Sequence, residues 1–191
     1  MITRRDLWST PVWEYQTGFD EKFNKNLLRE IDTLSNMRNT FQNNIWDHAN
    51  IRNPNINKLR ETFLEFVNQT REFFPPHFPF NPQFSRAWVS RQEPGEALPI
   101  HDHGGPLLAC VYYISAPQNA GDLLLVDPRG GVNWGWLSEG GFSGIKYQRV
   151  KPEMGKMVMF PAYVLHSVEV NRSNETRISL ATNIYNPPKT K

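Results

Sequence analysis

The sequence predicts a mainly β fold, an antiparallel sandwich or jelly roll, with two α-helices packed outside it. Two stretches of helical periodicity occupy the region before residue 75. Beyond it, about seven short apolar and aromatic stretches are separated by Gly- and Pro-containing turns. No helical pattern lies between those stretches, which argues for antiparallel pairing rather than βαβ crossovers. At 191 residues the chain suits one domain, read here as a helical support region over 1–83 and a jelly-roll core over 84–186.

The elements follow in order. "LWSTPVWEY" (7–15) has the composition of a short strand, and Pro11 restricts it to a sheet edge or a strand start. Between 19 and 38, Phe19, Phe23, Leu27, Ile31 and Leu34 recur at i+3 and i+4 spacing, so one helix face is apolar. "NPNINKLRETFLEFVNQTREFF" repeats the pattern through Ile56, Leu59, Phe63, Phe66 and Val67, with Asn-Pro-Asn supplying capping chemistry at its start. The four prolines of "PPHFPFNPQF" (75–84) end the helical region. Strands are predicted over 84–92, 98–103, 107–116, 122–127, 147–151, 157–170 and 177–185. Between them, residues 129–144 form a long loop with six glycines and with Trp134 and Trp136, a candidate lid over a substrate entrance.

Composition narrows the function classes. Apolar residues make up 39% and charged residues 21%, which suits a packed globular protein. The net charge of +2 comes from dispersed Lys and Arg with no basic stripe, so nucleic acid is not an expected partner. The single cysteine, Cys110, permits no intrachain disulfide and favours a reducing compartment. No run of 18 apolar residues and no signal-like segment occurs, so no membrane partner and a soluble, cytoplasmic protein are expected. No exposed apolar stripe can be assigned, and oligomeric state is unreadable.

The chemistry-bearing residues lie in the β region. In "HDHGG", His101 and His103 share one face of a strand while Asp102 points to the other, so two imidazoles can meet one ion. His166, late in "MVMFPAYVLHSVEV" and preceded by the turn former Pro161, supplies a third imidazole if early and late strands are neighbours, as in a jelly roll. Three ligands leave open coordination positions, the arrangement of a reactive rather than a structural metal. Eleven residues after His166, Arg177 and Ser179 share one face of "RISLATN". An arginine aimed into an apolar interior needs an anionic partner, and a ligand carboxylate held bidentately would be one.

The order "PGEALPIHDH", "LLACVYYI", "AGDLLLVDPRGG" and "PEMGKMVMFPAYVLHSVEVNRSNETRISLATN" resembles the small 2-oxoglutarate/Fe(II)-dependent oxygenases, especially a prolyl-hydroxylase-like branch found in bacteria and phages. The resemblance spans roughly residues 84–186 and implies a double-stranded β-helix, a distorted jelly roll of the cupin-like kind. It implies Fe(II), 2-oxoglutarate and O2 as cofactors and co-reactant, with His101, His103 and His166 at the iron-ligand positions and no catalytic residue beyond them. Arg177, with Ser179, takes the place that binds the distal carboxylate of 2-oxoglutarate. Gln92 falls where related hydroxylases carry a tyrosine, and Tyr113 joins the cosubstrate candidates, although only one of Tyr112 and Tyr113 can face inward. The implied reaction is hydroxylation of an amino-acid or peptidyl, prolyl-like substrate with release of succinate and CO2.

The sequence departs from this family in one place. Most members carry His-x-Asp or His-x-Glu, whereas here a histidine stands third and an aspartate lies between. Three neutral imidazoles would raise the net charge of the iron site. Asp102 could replace His103 as ligand only if its strand ends early at Gly104-Gly105 and twists the carboxylate inward, and Asp127 is a more distant alternative. Two rival readings are a cupin-like three-histidine metalloenzyme that does not use 2-oxoglutarate and a non-catalytic jelly-roll binding module. Gly121 and Asp122 are read as turn residues without chemistry.

Overall fold

The computed structural model describes residues 9–34, 44–129 and 147–188. The end of the first predicted helix and most of the glycine-rich 129–144 loop, with Trp134 and Trp136, lie outside them. Among the described residues two antiparallel sheets face each other. Their strands are β1 (Trp13–Gln16), β2 (Gln83–Gln92), β3 (Leu98–His101), β4 (Leu108–Ser115), β5 (Leu123–Val126), β6 (Tyr147–Val150), β7 (Lys156–Pro161), β8 (His166–Val168) and β9 (Arg177–Tyr185). The larger sheet runs β1-β7-β4-β9-β2 and the smaller runs β3-β8-β5-β6, the double-stranded β-helix predicted above. As Pro11 requires, β1 begins beyond it and, among the described strands, pairs only with β7, at the sheet edge.

Two helices, α1 (Glu21–Thr33) and α2 (Pro54–Gln69), cover the outer face of the larger sheet. Leu27 and Ile31 of α1 and Leu59, Phe63 and Val67 of α2 are buried against Val89, Cys110, Tyr112, Met157 and Leu180. Asp20 caps α1 by accepting from Phe23 N at 2.8 Å. The start of α2 differs from expectation, because Asn53 makes no side-chain cap and instead donates to His48 O at 3.0 Å. The Glu30 carboxylate of α1 accepts from the backbone N–H groups of Asn55 and Ile56 at 3.0 and 2.9 Å, so the cap is tertiary. A short 3-10 turn at Ile45–His48, unmarked by any sequence period, seats Trp46 against Phe63 and Phe84 and sends its indole N–H to Thr182 Oγ1 at 2.9 Å.

Alternation along β4 divides the molecule. Leu108, Cys110, Tyr112 and Ile114 point to the helices, while Ala109 and Tyr113 point between the sheets with Leu123, Leu125, Val158 and Phe160. The Tyr112 hydroxyl donates to Asn24 Oδ1 of α1 at 2.7 Å, which pins the helix to the sheet. Cys110 is buried and free, and burial pushes its thiol pKa up.

Two strand predictions require correction. The 157–170 stretch is two strands in different sheets, joined by a turn in which Val164 N donates to Pro161 O at 3.0 Å. Residues 157–162 are all buried, so a continuous apolar run hid the corner where the chain changes sheets. The 98–103 strand ends at His101, where Asp102 Oδ1 accepts from Gly104 N at 3.0 Å and Gly104 takes φ +62°.

Candidate active site

Between the sheets opens a cavity of about 430 Å³, lined by Gln92, His101, His103, Tyr113, His166, Arg177 and Ser179 among others. All of these but His103 stand on strands. His101 on β3 and His166 on β8 are cross-strand partners, with ring centroids 4.2 Å apart. His103 lies beyond the strand end, so strand alternation does not aim it. The Asp102–Gly104 turn brings its ring back, with Nε2 3.2 Å from Nε2 of His166. The three histidines present ligand atoms that all lie within 4.8 Å of one another, a group able to hold one metal ion.

Main-chain acceptors orient two of these rings. His101 Nδ1 lies 2.9 Å from Pro99 O, and His166 Nδ1 lies 2.9 Å from Val164 O. Both Nδ1 atoms therefore carry the hydrogen, and both Nε2 lone pairs are left for a ligand. Burial lowers the pKa of His166 to about 4, reinforced by the charges of His101 and His103. Burial, then the charge of His101, lowers that of His103. Neutral imidazoles are the metal-binding form.

The alternative carboxylates are not part of this cluster. Asp102 is exposed and engaged by Gly104 N. Asp127 lies in a different depression and is paired with Arg129, Nη2 to Oδ2 at 2.6 Å. Asp127 follows the last residue of β5, and its side chain belongs to that loop.

Deeper in the cavity the cosubstrate candidates form a second group. Gln92 on β2 pairs in register with Arg177 on β9, and Tyr113 on β4 pairs with Ser179. Arg177 is 2% exposed. Its guanidinium donates to Gln92 Oε1 and lies over the Tyr113 ring at 5.1 Å. Among the described residues no carboxylate forms an ion pair with it. Burial lowers its pKa, partly offset by Tyr113 and, more distantly, Asp122. Gln92 Nε2, Arg177 Nε and the Tyr113 hydroxyl are buried without hydrogen-bond partners among the described residues. Burial also raises the Tyr113 pKa, so the phenol stays protonated and able to donate. Three unsatisfied donors around a buried cation are what a small carboxylate would fill.

Two residues that touch His103, one of them lining the cavity, were not singled out by the sequence. Trp88 lies four residues before Gln92, on the same face of β2, with its ring 6.0 Å from that of His103. Asn183 lies six residues after Arg177, on the same face of β9, with Nδ2 3.3 Å from His103 Nδ1. Counting in twos from Gln92 and Arg177 finds both.

Residues 86–183, just over half of the chain, match the model of a family described as 2OG-Fe(II) oxygenase. The chain belongs to the 2OG-Fe(II) oxygenase family. This oxygenase therefore uses Fe(II), 2-oxoglutarate and O2, and the three-histidine group and the unpaired guanidinium fit the first two. Both rival readings, an enzyme without 2-oxoglutarate and a non-catalytic module, fall away. No curated protein matches the chain in sequence. Among solved structures, the viral collagen prolyl hydroxylase of Paramecium bursaria Chlorella virus-1, in its 2-oxoglutarate complex, superposes with a TM-score of 0.63 at 15% identity, covering 92% of this chain and 96% of that one. A Pseudomonas putida prolyl-4-hydroxylase gives 0.60 at 14% identity, covering 94% and 89%. A Trichoplax adhaerens prolyl hydroxylase, solved with a hypoxia inducible factor oxygen degradation domain peptide fragment, gives 0.64 at 10% identity, covering 93% and 84%. At such identities the likeness concerns the fold. No described helix is long and apolar enough to cross a membrane.

Proposed function

We propose that this oxygenase hydroxylates a prolyl-like residue in a peptide, or a free amino acid, converting 2-oxoglutarate and O2 to succinate and CO2. One oxygen atom of O2 enters the substrate as hydroxyl and the other enters succinate. In this reading His101, His103 and His166 hold the iron, and Arg177, Ser179, Gln92 and Tyr113 hold 2-oxoglutarate, within a single unit spanning 1–191. The observation that carries it is the convergence, in one cavity, of three histidine ligand atoms and a buried arginine without an acid partner among the described residues.

Iron and 2-oxoglutarate together supply the oxidising power, and the chain supplies position and dryness. Arg177 would bind the far carboxylate bidentately, with the Tyr113 hydroxyl and Gln92 Nε2 as further donors. Pro99 O and Val164 O hold two imidazoles so that their Nε2 atoms face the cavity. Phe160, against His166 with centroids 4.9 Å apart, and Leu123 and Val168 exclude water. About 430 Å³ is room for a five-carbon diacid and part of a substrate side chain. Prolyl hydroxylases among the structural neighbours, one of them with a peptide, support the peptidyl choice.

The test is anaerobic titration of the Fe(II)-loaded chain with 2-oxoglutarate, followed by proline-containing peptides in air. A metal-to-ligand charge-transfer band, then succinate release coupled to a 16 Da gain on the peptide, is the expected result. Iron binding without the band would refute the cosubstrate roles. The band with no peptide product would refute the peptidyl substrate.

A further inference from the structure

The three imidazoles are not held alike. His101 and His166 each direct Nδ1 at a main-chain carbonyl, 2.9 Å away in both cases. A carbonyl can only accept, so each ring is fixed with hydrogen on Nδ1 and a lone pair on Nε2. His103 has no such carbonyl. Its Nδ1 faces the side-chain amide of Asn183, with Nδ2 at 3.3 Å, while Asn183 Oδ1 is buried without a partner among the described residues. An amide nitrogen meeting Nδ1 donates to it, which leaves the hydrogen on Nε2, the atom 3.2 Å from His166 Nε2 and inside the ligand cluster. That tautomer cannot offer its Nε2 lone pair to a metal.

A half-turn of the Asn183 amide exchanges its two ends and brings the unpartnered Oδ1 against His103 Nδ1. We infer that Asn183 is the positioning residue of the His103 ligand: in the metal-binding form its Oδ1 accepts the Nδ1 hydrogen, completing on the third imidazole what Pro99 O and Val164 O do on the other two. The inference rests on the three-histidine site proposed above. Its place in the fold supports it. Asn183 stands on β9 in register with Ala109 of β4, on the row that also carries Arg177 and Ser179, so the strand that holds the cosubstrate candidates also reaches His103. The main chain serves β3 and β8 because His101 and His166 lie within strands whose local carbonyls are near. His103 lies past the strand end, and a side chain from the opposite sheet takes over.

Second partners of this kind are worth roughly 10- to 100-fold in metal affinity. The experiment compares wild type, Asn183→Leu and Asn183→Asp as full chains. Fe(II) affinity is measured anaerobically, and imidazole N–H protons are observed by NMR in the Zn(II)-loaded proteins. Leucine keeps the volume and removes the acceptor, so affinity should fall roughly 10- to 100-fold. Its His103 Nδ1 proton, protected in wild type, should exchange rapidly with water. Aspartate can only accept, so affinity should equal or exceed that of wild type with the proton still protected. Leucine binding within threefold of wild type, or aspartate binding as weakly as leucine, would overturn the inference. If the leucine chain does not fold, the aspartate chain decides alone, since loss of affinity there means that Asn183 acts as a donor. Failure of wild type to bind Fe(II) would instead refute the three-histidine site itself, and this inference with it.

Discussion

Replacing Arg177 by methionine should change stability and cosubstrate affinity in very different degree. The guanidinium is 2% exposed and its partners are Gln92 Oε1 and the Tyr113 ring. A hydrogen bond from a charged donor is worth about 1.5–3 kcal/mol, and a desolvated cation–π contact about 2 kcal/mol. Against these stands the desolvation of a buried charge, still several kcal/mol after relaxation. Methionine removes both sides of this balance, at a further cost of about 1–3 kcal/mol for the stranded Gln92 oxygen. Without 2-oxoglutarate the variant should thus unfold within about 2 kcal/mol of wild type. Affinity for 2-oxoglutarate should behave otherwise. Two charge-assisted hydrogen bonds lost at about 1.5–3 kcal/mol each correspond to roughly 100- to 10,000-fold weaker binding. Urea unfolding followed by tryptophan fluorescence gives the first quantity, and anaerobic titration of the charge-transfer band gives the second. A variant destabilised by more than about 4 kcal/mol that still binds 2-oxoglutarate normally would refute the reasoning, because Arg177 would then be a structural cation.

Four further outcomes follow from the geometry. Tyr112→Phe strands Asn24 Oδ1 and should cost about 1–3 kcal/mol in denaturant unfolding with cosubstrate affinity unchanged; Tyr113→Phe removes a hydroxyl that has no hydrogen-bond partner among the described residues, should leave stability equal or higher, and should weaken 2-oxoglutarate binding roughly 2- to 10-fold. Gly121 has φ +87°, and a Cβ there would fall 2.3 Å from Glu169 O, next to β8. Gly121→Ala should therefore lose roughly 2–5 kcal/mol by denaturant midpoint and weaken metal binding by displacing His166. His166 has a folded pKa of about 4 against 6.5 for the free side chain, so the unfolded chain takes up its proton first. The metal-free protein should hold this contribution above pH 6.5 and lose it, up to roughly 3 kcal/mol, as pH falls toward 4, which urea unfolding across pH measures.

Much of this protein was legible in the chain because periodicity is local. The i+3/i+4 spacing of Leu27 and Ile31, and of Leu59 and Phe63, marked the helix faces that cover the sheet. Alternation marked the strands and placed Arg177 and Ser179 on one row. The elements that escaped are set by partners far away in sequence. The cap of α2 is a Glu30 carboxylate from another helix, the 3-10 turn at Ile45–His48 is held by Thr182, and the corner after Pro161 hid in a run buried on every side.

The candidate site divides in the same way. Sequence alone singled out the residue types and their order, from His101 and His103 through His166 to Arg177, since strand spacing and family resemblance depend on the chain itself. Only the tertiary structure decided which tyrosine faces the cavity, that Asp102 turns out to Gly104 and Asp127 to Arg129, and that Asn183 meets His103 from the opposite sheet. The physical reason is that a side chain's hydrogen-bond partner in a sandwich comes from whichever strand the sheet order brings beside it, and no local period records that order.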